Sequence, residues 1–265
     1  MNPLHSVEMN WQHWFDRWEA MQSAYLPQRQ HRFDLMFRLP DFAPEAELHI
    51  LDLGCGPGSV TFCALRHYPA ARVVAVDADP VLLAMGRGLS ADFSTSPSVS
   101  SVKSVEYIQT DLRDGAWWEA YVGAFDLVVS ATALHWLTEA HLAETYRRVY
   151  RALKPGGWFF NADHIASDDP ATQARYRTLL HEWQQANFAA GAEGWDGFWH
   201  GLEVAWGQPD LFTQREEAEY WEGSDDGLPR QFHLDTLRAC GFEDVAVHWQ
   251  ELGEALEGAK KGHVS

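Results

Sequence analysis

Three glycines in the loop that follows Asp52 carry the strongest chemical signal in this sequence. Gly54, Gly56 and Gly58 alternate with Cys and Pro. A glycine-rich turn between a strand and a helix brings backbone N–H groups and bare Cα atoms close to a ligand. A dinucleotide fingerprint would have its third glycine one position later, where Ser59 stands, and the Gly-Lys-Ser/Thr ending of a phosphate-binding P-loop is absent. The spacing therefore disfavours both of those ligand classes.

A second acidic residue, Asp77, follows this loop by about twenty residues, the separation at which a strand-end acid meets a bound ribose. Its carboxylate can accept hydrogen bonds from both ribose hydroxyls of an adenosine. Alternatively, Asp77 only caps the segment Asp79-Pro80, which is predicted to begin the next helix. The order of strand, Asp52, glycines, helix, strand and terminal acid favours an adenosine-containing ligand.

These residues need a sheet to bring them together, and the sequence predicts an α/β fold with a mostly parallel, twisted sheet and helices on both faces. Short apolar runs alternate with helical patterns, which indicates right-handed βαβ units. Strands are predicted over residues 48–53, 72–77, 105–109, 125–130 and 158–162, and helices over 30–39, 59–67 and 141–153.

Other segments depart from that alternation. Residues 8–39 are predicted to form two helices separated by Pro27, and the serine-rich segment 89–104 a flexible loop. The tryptophan-rich stretch 167–229 is predicted to be a helical insertion, with one or two of its tryptophans touching substrate. A helix over 233–239 and a strand over 244–250 return to the sheet, whereas the tail 252–261 is too polar to predict a closing strand. The resulting organisation is a cap (1–47), a core (48–165), an insertion (166–230) and a return to the sheet (231–265).

Composition limits the partners of the chain. A formal charge of −18 repels nucleic acid and anionic membranes, so a small neutral, aromatic or cationic acceptor is expected. The three cysteines, Cys55, Cys63 and Cys240, lack metal-ligand spacing, so reduced thiols and no metal are expected. No secretory signal or membrane span is apparent, and the expectation is a cytoplasmic monomer or homodimer.

The segment Ile50–Gly58 resembles the first motif of class I S-adenosylmethionine-dependent methyltransferases. Val76–Ala78 matches the ribose-binding strand end of that family, and Gln109–Leu112 is similar to its third motif. Ser130–Trp136 matches the segment after the fourth strand, and residues 153–158 match the loop before the fifth. The likeness covers roughly residues 48–165. Within the family, residues 133–137 are most similar to trans-aconitate and related carboxyl methyltransferases, and residues 25–29 resemble the start of their cofactor-covering helix.

The resemblance implies a Rossmann-like methyltransferase fold with S-adenosylmethionine as cofactor and S-adenosylhomocysteine as product. Asp52 is expected either to hold the cofactor's ammonium or to orient the loop, and Asp111 to face the adenine amino group or to serve as a turn residue. Tyr25 and Arg29 close over the methionine end in one interpretation and are solvated in the other. The full cofactor set implied is Tyr25, Arg29, Asp52, Gly54, Cys55, Gly56, Gly58, Asp77, Ala78, Asp111, Leu112, Ser130, Ala131 and Trp136.

His135 is the candidate catalytic residue. It follows the fourth strand, and an imidazole can accept a proton near neutral pH. The alternative is that His135 and Trp136 pack at a helix start without proton transfer. The expected reaction is methyl transfer to a small molecule, with O-methylation of a carboxylate or hydroxyl favoured over N- or C-methylation. Rival hypotheses are an NAD-dependent oxidoreductase and a non-catalytic protein that binds the cofactor.

Overall fold

The computed structural model describes residues 9–94, 105–114, 117–218 and 221–263. Its strands and helices follow the predicted alternation and add further elements at both ends. The strands are β1 (His49–Leu53), β2 (Arg72–Asp77), β3 (Val105–Gln109), β4 (Phe125–Ala131), β5 (Leu153–Ala166), β6 (Leu228–Pro229), β7 (Phe242–Glu251) and β8 (Glu254–Lys261). The helices are α1 (Trp11–Tyr25), α2 (Arg29–Arg38), α3 (Ser59–His67), α4 (Pro80–Ser94), α5 (Glu139–Ala152), α6 (Pro170–Ala189), α7 (Trp195–Trp206), α8 (Pro209–Glu217) and α9 (Arg230–Ala239).

One mixed sheet organises the protein, with strand order β3-β2-β1-β4-β5-β8-β7 and the short β6 beside β5. The strands from β3 to β5 are parallel, while β8 runs antiparallel to both β5 and β7. The strand order reverses between β1 and β4, and the carboxyl ends of parallel strands leave a crevice at such a point. The fold therefore directs the loops after β1, β2 and β4 into one crevice.

Hydrophobic side chains on the two sides of the sheet form separate cores. Ile50 packs against α2 and α3 through residues such as Phe33, whereas its neighbour Leu51 belongs to the opposite core with Tyr146 of α5 and Leu237 of α9. This alternation follows from the two-residue period of a strand. Both faces of the central strands are consequently buried, which explains their continuous apolar runs.

Two predicted segments differ most from the structure. Helix α4 continues to Ser94, so residues 89–94 are helical rather than loop, because Leu89 prolongs the apolar face and is 1% exposed. Residues 95–104 of that predicted loop lie outside the described residues. Strand β5 is longer than predicted at both ends and includes residues 154–157 and 163–166, with a register shift opposite the start of β4.

The prediction that the tail is unsuited to a strand was also wrong, because residues 254–261 form β8 and insert between β5 and β7. Its small residues Ala255 and Ala259 are fully buried. Its polar residues are buried as well: Glu254 contacts His164 and Glu257 contacts His233. Pairing with histidines lets these carboxylates occupy positions that usually take apolar side chains.

The aromatic residues of the N-terminal helices and the insertion pack on one another. Trp14 and Trp18 of α1 contact Phe198 of α7 at ring-centroid distances of 6.0 and 5.5 Å. Trp199 and Phe212 complete this cluster above α4. Within the described residues, no helix is long and apolar enough to cross a membrane.

Candidate functional site

A cavity of about 740 Å³ opens above the carboxyl ends of β1, β2 and β4. Most of the sequence-predicted site residues line it, although they come from widely separated segments. Those that line it are Tyr25, Arg29, Gly54, Cys55, Gly56, Asp77, Ala78, Asp111, Leu112, Ala131, His135 and Trp136. The insertion also contributes to the wall, through Trp195, Arg215, Trp221 and Asp225.

The glycine loop adopts backbone geometry that side chains disfavour. Gly54 and Gly56 have φ values of 67° and 53°, and the N–H groups of Gly54 and Cys55 donate to the carbonyl of Val76 at 2.8 and 3.0 Å. A Cβ atom on Gly54 would lie 2.3 Å from the Cβ of Ala133. The loop after β1 therefore contacts the segment after β4 so closely that only glycine fits, and its backbone stays exposed to the cavity.

Asp77 organises both the loop and the helix that follows it. Its Oδ2 accepts from the N–H of Gly56 at 2.7 Å, and its Oδ1 accepts from the N–H of Asp79 at 2.8 Å. Asp79 in turn caps α4 by accepting from the N–H of Val81 at 2.9 Å. Burial, and secondarily the charge of Asp79, raises the pKa of Asp77 to about 6. Asp77 thus bonds the segment that begins α4 and also contributes its carboxylate to the cavity wall.

Three predicted residues lie behind the cavity rather than in its lining. Asp52 is fully buried, and its Oδ2 accepts from Oγ1 of Thr61 on α3 at 2.6 Å. Burial raises the pKa of Asp52 to about 7. Gly58 begins α3 with a φ of 101°, and the hydroxyl of Ser130 donates to the carbonyl of Leu53 at 2.7 Å. These three residues support the glycine loop from the side that faces away from the cavity.

Asp111 lines the cavity, and its carboxylate is already bonded to Arg113. Arg113 donates to it through Nε at 2.9 Å, and this contact lowers the pKa of Asp111 despite the opposing effect of burial. Arg113 also bonds Glu222 of the insertion at 2.5 Å. A second ion pair joins Arg215 of α8 to Asp79 at 2.9 Å. Two ion pairs therefore hold the insertion against the cavity rim, one at the segment after β3 and one at the start of α4.

The N-terminal helices add a buried cation to the cavity lining. Arg29 is 7% exposed and donates through Nη1 to Glu19 at 2.6 Å. Glu19 also accepts from the hydroxyl of Ser59 at 2.5 Å. Within the described residues, Nε of Arg29 has no hydrogen-bond partner. A buried guanidinium with an unused N–H group suits an anionic ligand group such as a carboxylate.

His135 lies in the 3-10 turn Leu134–Trp136 after β4 and is paired with a carboxylate from β5. Its Nδ1 is 2.6 Å from Oδ1 of Asp163, and its backbone N–H donates to Oδ2 at 3.0 Å. The side chains are 3% and 2% exposed. Burial by itself raises the pKa of Asp163, but His135 more than offsets this effect and holds the pKa well below its usual range. The ring is thereby fixed by an ionised partner.

A second histidine beside His135 was missed by sequence reasoning. His164 lines the cavity, and the centroids of the two rings are 4.6 Å apart. Its Nδ1 contacts Glu254 of β8 at 2.5 Å, and Glu254 also accepts from the fully buried Arg32 of α2 at 2.6 Å. Against the effect of burial, Glu254 raises the pKa of His164. No motif marked these residues, because the contact depends on β8 pairing with β5.

Aromatic rings form the wall next to the two histidines. Trp136 is 4.4 Å from the His135 ring and 4.3 Å from the Trp221 ring, measured between centroids. The N–H groups of Gly223 and Ser224 donate to the carbonyls of Trp136 and His135 at 2.8 and 3.1 Å. This part of the insertion is thus anchored directly over the histidine segment. Of the tryptophans in residues 167–229, those at positions 195 and 221 line the cavity.

Comparisons with known proteins agree with this geometry. The methyltransferase domain family matches residues 50–157. The carboxy-S-adenosyl-L-methionine synthase of Geobacter metallireducens is 31% identical over 145 residues, which are 54% of this chain and 55% of that protein. The trans-aconitate 2-methyltransferase of Azoarcus sp. is 32% identical over 124 residues, or 47% of this chain and 41% of that protein. The chain thus spans about half the length of these relatives, or less.

Solved structures share the fold at low sequence identity. The apo form of the S-adenosylmethionine-dependent methyltransferase SibL is 17% identical with a TM-score of 0.55, covering 88% of this chain and 55% of that one. Human N-acetylserotonin methyltransferase in complex with SAM is 14% identical with a TM-score of 0.54, covering 99% of this chain and 60% of that one. Residues 50–157 thus match the methyltransferase domain family, and the chain has the fold of class I S-adenosylmethionine-dependent methyltransferases.

Proposed function

We propose that this protein transfers the methyl group of S-adenosylmethionine to a hydroxyl group of a small aromatic acceptor. The observation that carries the proposal is one cavity that is lined both by Asp77 with the glycine loop and by His135, whose ring is paired with the buried Asp163. A carboxylate acceptor is already ionised at neutral pH and needs no base. The histidine–carboxylate pair therefore favours a hydroxyl among the O-methylation candidates.

The cofactor fits the residues present at the first end of the cavity. The carboxylate of Asp77 is positioned to accept from the ribose hydroxyls, and the bare backbone at Gly54 admits the ligand closely. Arg29, a cation that lines the cavity, is suited to the methionine carboxylate. Ala78, Asp111 and the neighbouring Leu112 would border the adenine. S-adenosylmethionine supplies a methyl group that its sulfonium already activates, so the protein contributes mainly orientation and exclusion of water.

His135 is proposed as the general base. Asp163 is ionised and accepts from Nδ1, which leaves Nε2 as the proton acceptor of the ring. The acceptor hydroxyl would give its proton to Nε2 as its oxygen attacks the methyl carbon. The resulting imidazolium is stabilised by the buried carboxylate of Asp163. Against the effect of burial, Glu254 raises the pKa of His164, and when protonated this ring would stabilise the oxygen as that oxygen loses its proton.

Trp136 and Trp221 support an aromatic acceptor, because edge-to-face ring contacts orient a flat molecule without fixing its polar substituents. The anchored insertion and α1 would close the cavity over both ligands and exclude water. The acidic surface of the chain is compatible with a neutral or cationic aromatic compound.

The test is transfer of isotope from methyl-labelled S-adenosylmethionine into a metabolite extract, followed by identification of the labelled product. We expect a labelled O-methyl ether with the wild-type chain and loss of labelling with Asp77→Ala. Labelling on nitrogen or carbon would contradict the acceptor chemistry. Binding of S-adenosylhomocysteine without any labelled product would favour a non-catalytic binding protein, and binding of NAD instead would favour an oxidoreductase.

A further inference from the structure

Outside the cavity, three side chains of metal-ligating type converge where α2 packs against α3. Asp34 comes from α2, while Cys63 and His67 lie one turn apart on the same face of α3. One ligand atom from each of the three lies within 4.8 Å of the other two. The spacing of the cysteines gives no sign of this cluster, because Asp34 joins Cys63 and His67 from another helix.

The spacing of these atoms agrees with the edges of a tetrahedral zinc site. With Zn–N and Zn–O distances of about 2.0 Å and Zn–S of about 2.3 Å, tetrahedral ligands are separated by about 3.3 Å for N and O and about 3.5 Å for S and O. In the protein, Nε2 of His67 is 3.3 Å from Oδ1 of Asp34. Sγ of Cys63 is 3.6 Å from the same oxygen. Both distances match the tetrahedral values, and the third pair, Sγ of Cys63 and Nε2 of His67, lies within 4.8 Å.

Hydrogen bonding alone explains the cluster less well. The His67–Asp34 separation exceeds the usual range of an N–H···O hydrogen bond, about 2.7–3.2 Å. The Gln30 amide donates to Oδ1 of Asp34 at 3.0 Å and contacts Sγ of Cys63 at 3.6 Å, so three side chains, those of Gln30, Cys63 and His67, converge on one carboxylate oxygen. A cation at the centre would satisfy the sulfur, nitrogen and oxygen atoms together.

The surroundings suit a site that binds metal from solution. Cys63 is fully buried and forms the floor, while the side chains of His67 and Asp34 are 28% and 40% exposed. The half-exposed ligands leave a path for entry and room for water as a fourth ligand. The buried cluster of His135, Asp163 and His164 lacks this spacing, because its Nδ1–Oδ1 distance of 2.6 Å is that of a hydrogen bond.

We propose that Asp34 Oδ1, Cys63 Sγ and His67 Nε2 bind one zinc ion, with water in the fourth position. On binding, the S–H bond of Cys63 breaks, the thiolate forms a bond to zinc, and the proton leaves to solvent. The ion would tie α2 to α3, whose first residues, Arg29 and Ser59, line the main cavity. The proposal does not depend on methyl transfer.

The experiment is a calorimetric titration of the tag-free, chelator-treated chain with zinc chloride. We expect one zinc ion per chain, with affinity at least tenfold weaker in Cys63→Ala, His67→Ala and Asp34→Asn, since each removes one ligand. Cobalt substitution is expected to give a thiolate-to-metal absorption band that Cys63→Ala abolishes. Cys240→Ala, which removes another free cysteine, is the matched control and should bind zinc like the wild type.

Absence of zinc binding to the wild type would overturn the proposal, as would binding unchanged in His67→Ala and Asp34→Asn. These two positions are partly exposed, so their variants are expected to fold even if Cys63→Ala does not. Circular dichroism of each variant verifies this. Binding of S-adenosylhomocysteine, measured on the same samples, reports separately on the proposed methyltransferase function.

Discussion

The two ends of the main cavity are built in different ways. The glycine-loop end comes largely from one stretch of chain, residues 52–79, and its shape depends on backbone geometry and on the Asp77 carboxylate. The histidine end assembles His135, His164, Glu254 and Arg32 from four distant segments through buried side-chain contacts. A site made from backbone tolerates little change in residue size, whereas one made from buried ions tolerates little change in charge.

The largest effect is expected from His135→Asn, which removes the proposed base and keeps a polar side chain. Loss of a general base lowers turnover by about 10²- to 10⁴-fold. The affinity for S-adenosylhomocysteine should change little, because the Asp77 end of the cavity is untouched. Turnover is measured with the acceptor identified by labelling, and affinity by calorimetry. Unchanged turnover would show that His135 only packs the pocket.

Glu254→Gln tests the charge requirement of the histidine end. Glu254 is 3% exposed and pairs with both Arg32 and His164, so neutralising it leaves buried charge without compensation. The expected cost is about 3–5 kcal/mol in the free energy of unfolding, measured by urea denaturation. Glu251→Gln, at an exposed position of β7, is the matched control and should cost less than about 0.5 kcal/mol. Equal effects of the two substitutions would contradict the account.

Gly54→Ala tests the size requirement of the glycine-loop end. The new Cβ meets Ala133 in a left-handed backbone conformation, which together cost about 2–5 kcal/mol in the free energy of unfolding. Gly123→Ala has a similar φ of 64° with no atom within 4 Å of the new Cβ. It should therefore cost only about 1–2 kcal/mol. If Gly54→Ala is no less stable than Gly123→Ala, the contact between the new Cβ and Ala133 does not limit residue size at position 54.

A smaller effect is expected from pH. The pKa of Asp77 is about 6, so the carboxylate that would accept from ribose is ionised above that pH and becomes protonated as the pH falls through it. Affinity for S-adenosylhomocysteine should be flat near neutrality and then weaken by up to about tenfold per pH unit below about pH 6. Asp77→Asn should flatten this profile. Affinity that increases on acidification would contradict the assignment. Burial also raises the pKa of Asp52, to about 7, and that of Asp79, so Asp52→Asn and Asp79→Asn measure what each contributes to the profile.

The same contrast explains what sequence could predict. The bounds of α3 and β2 were predicted without error, because Gly58 and the strand-end Asp77 are local signals. The closing strand β8 was missed because its glutamates resemble a solvated tail until β5 supplies the partner His164. The bond between Asp111 and Arg113 was likewise not predicted, since the motif suggests a free acid.

The aromatic wall next to His135 and His164 could be predicted only in part, for the same reason. The insertion was predicted to be helical, but the sequence does not say which of its tryptophans reach the cavity. Trp221 does so because the backbone of the next residues bonds to His135 and Trp136. Trp206 instead packs against Trp11 of α1. Such contacts depend on tertiary pairing that no local pattern encodes.

The most direct measurement is calorimetric titration of the wild type, Asp77→Ala and His135→Asn with S-adenosylhomocysteine. The account predicts that the wild type and His135→Asn bind one equivalent with similar affinity. Asp77→Ala should bind at least about tenfold more weakly, because loss of a hydrogen bond to a charged group costs about 1.5–3 kcal/mol. No binding to the wild type, or equal binding to all three proteins, would contradict the assignment of the glycine-loop end as the cofactor site.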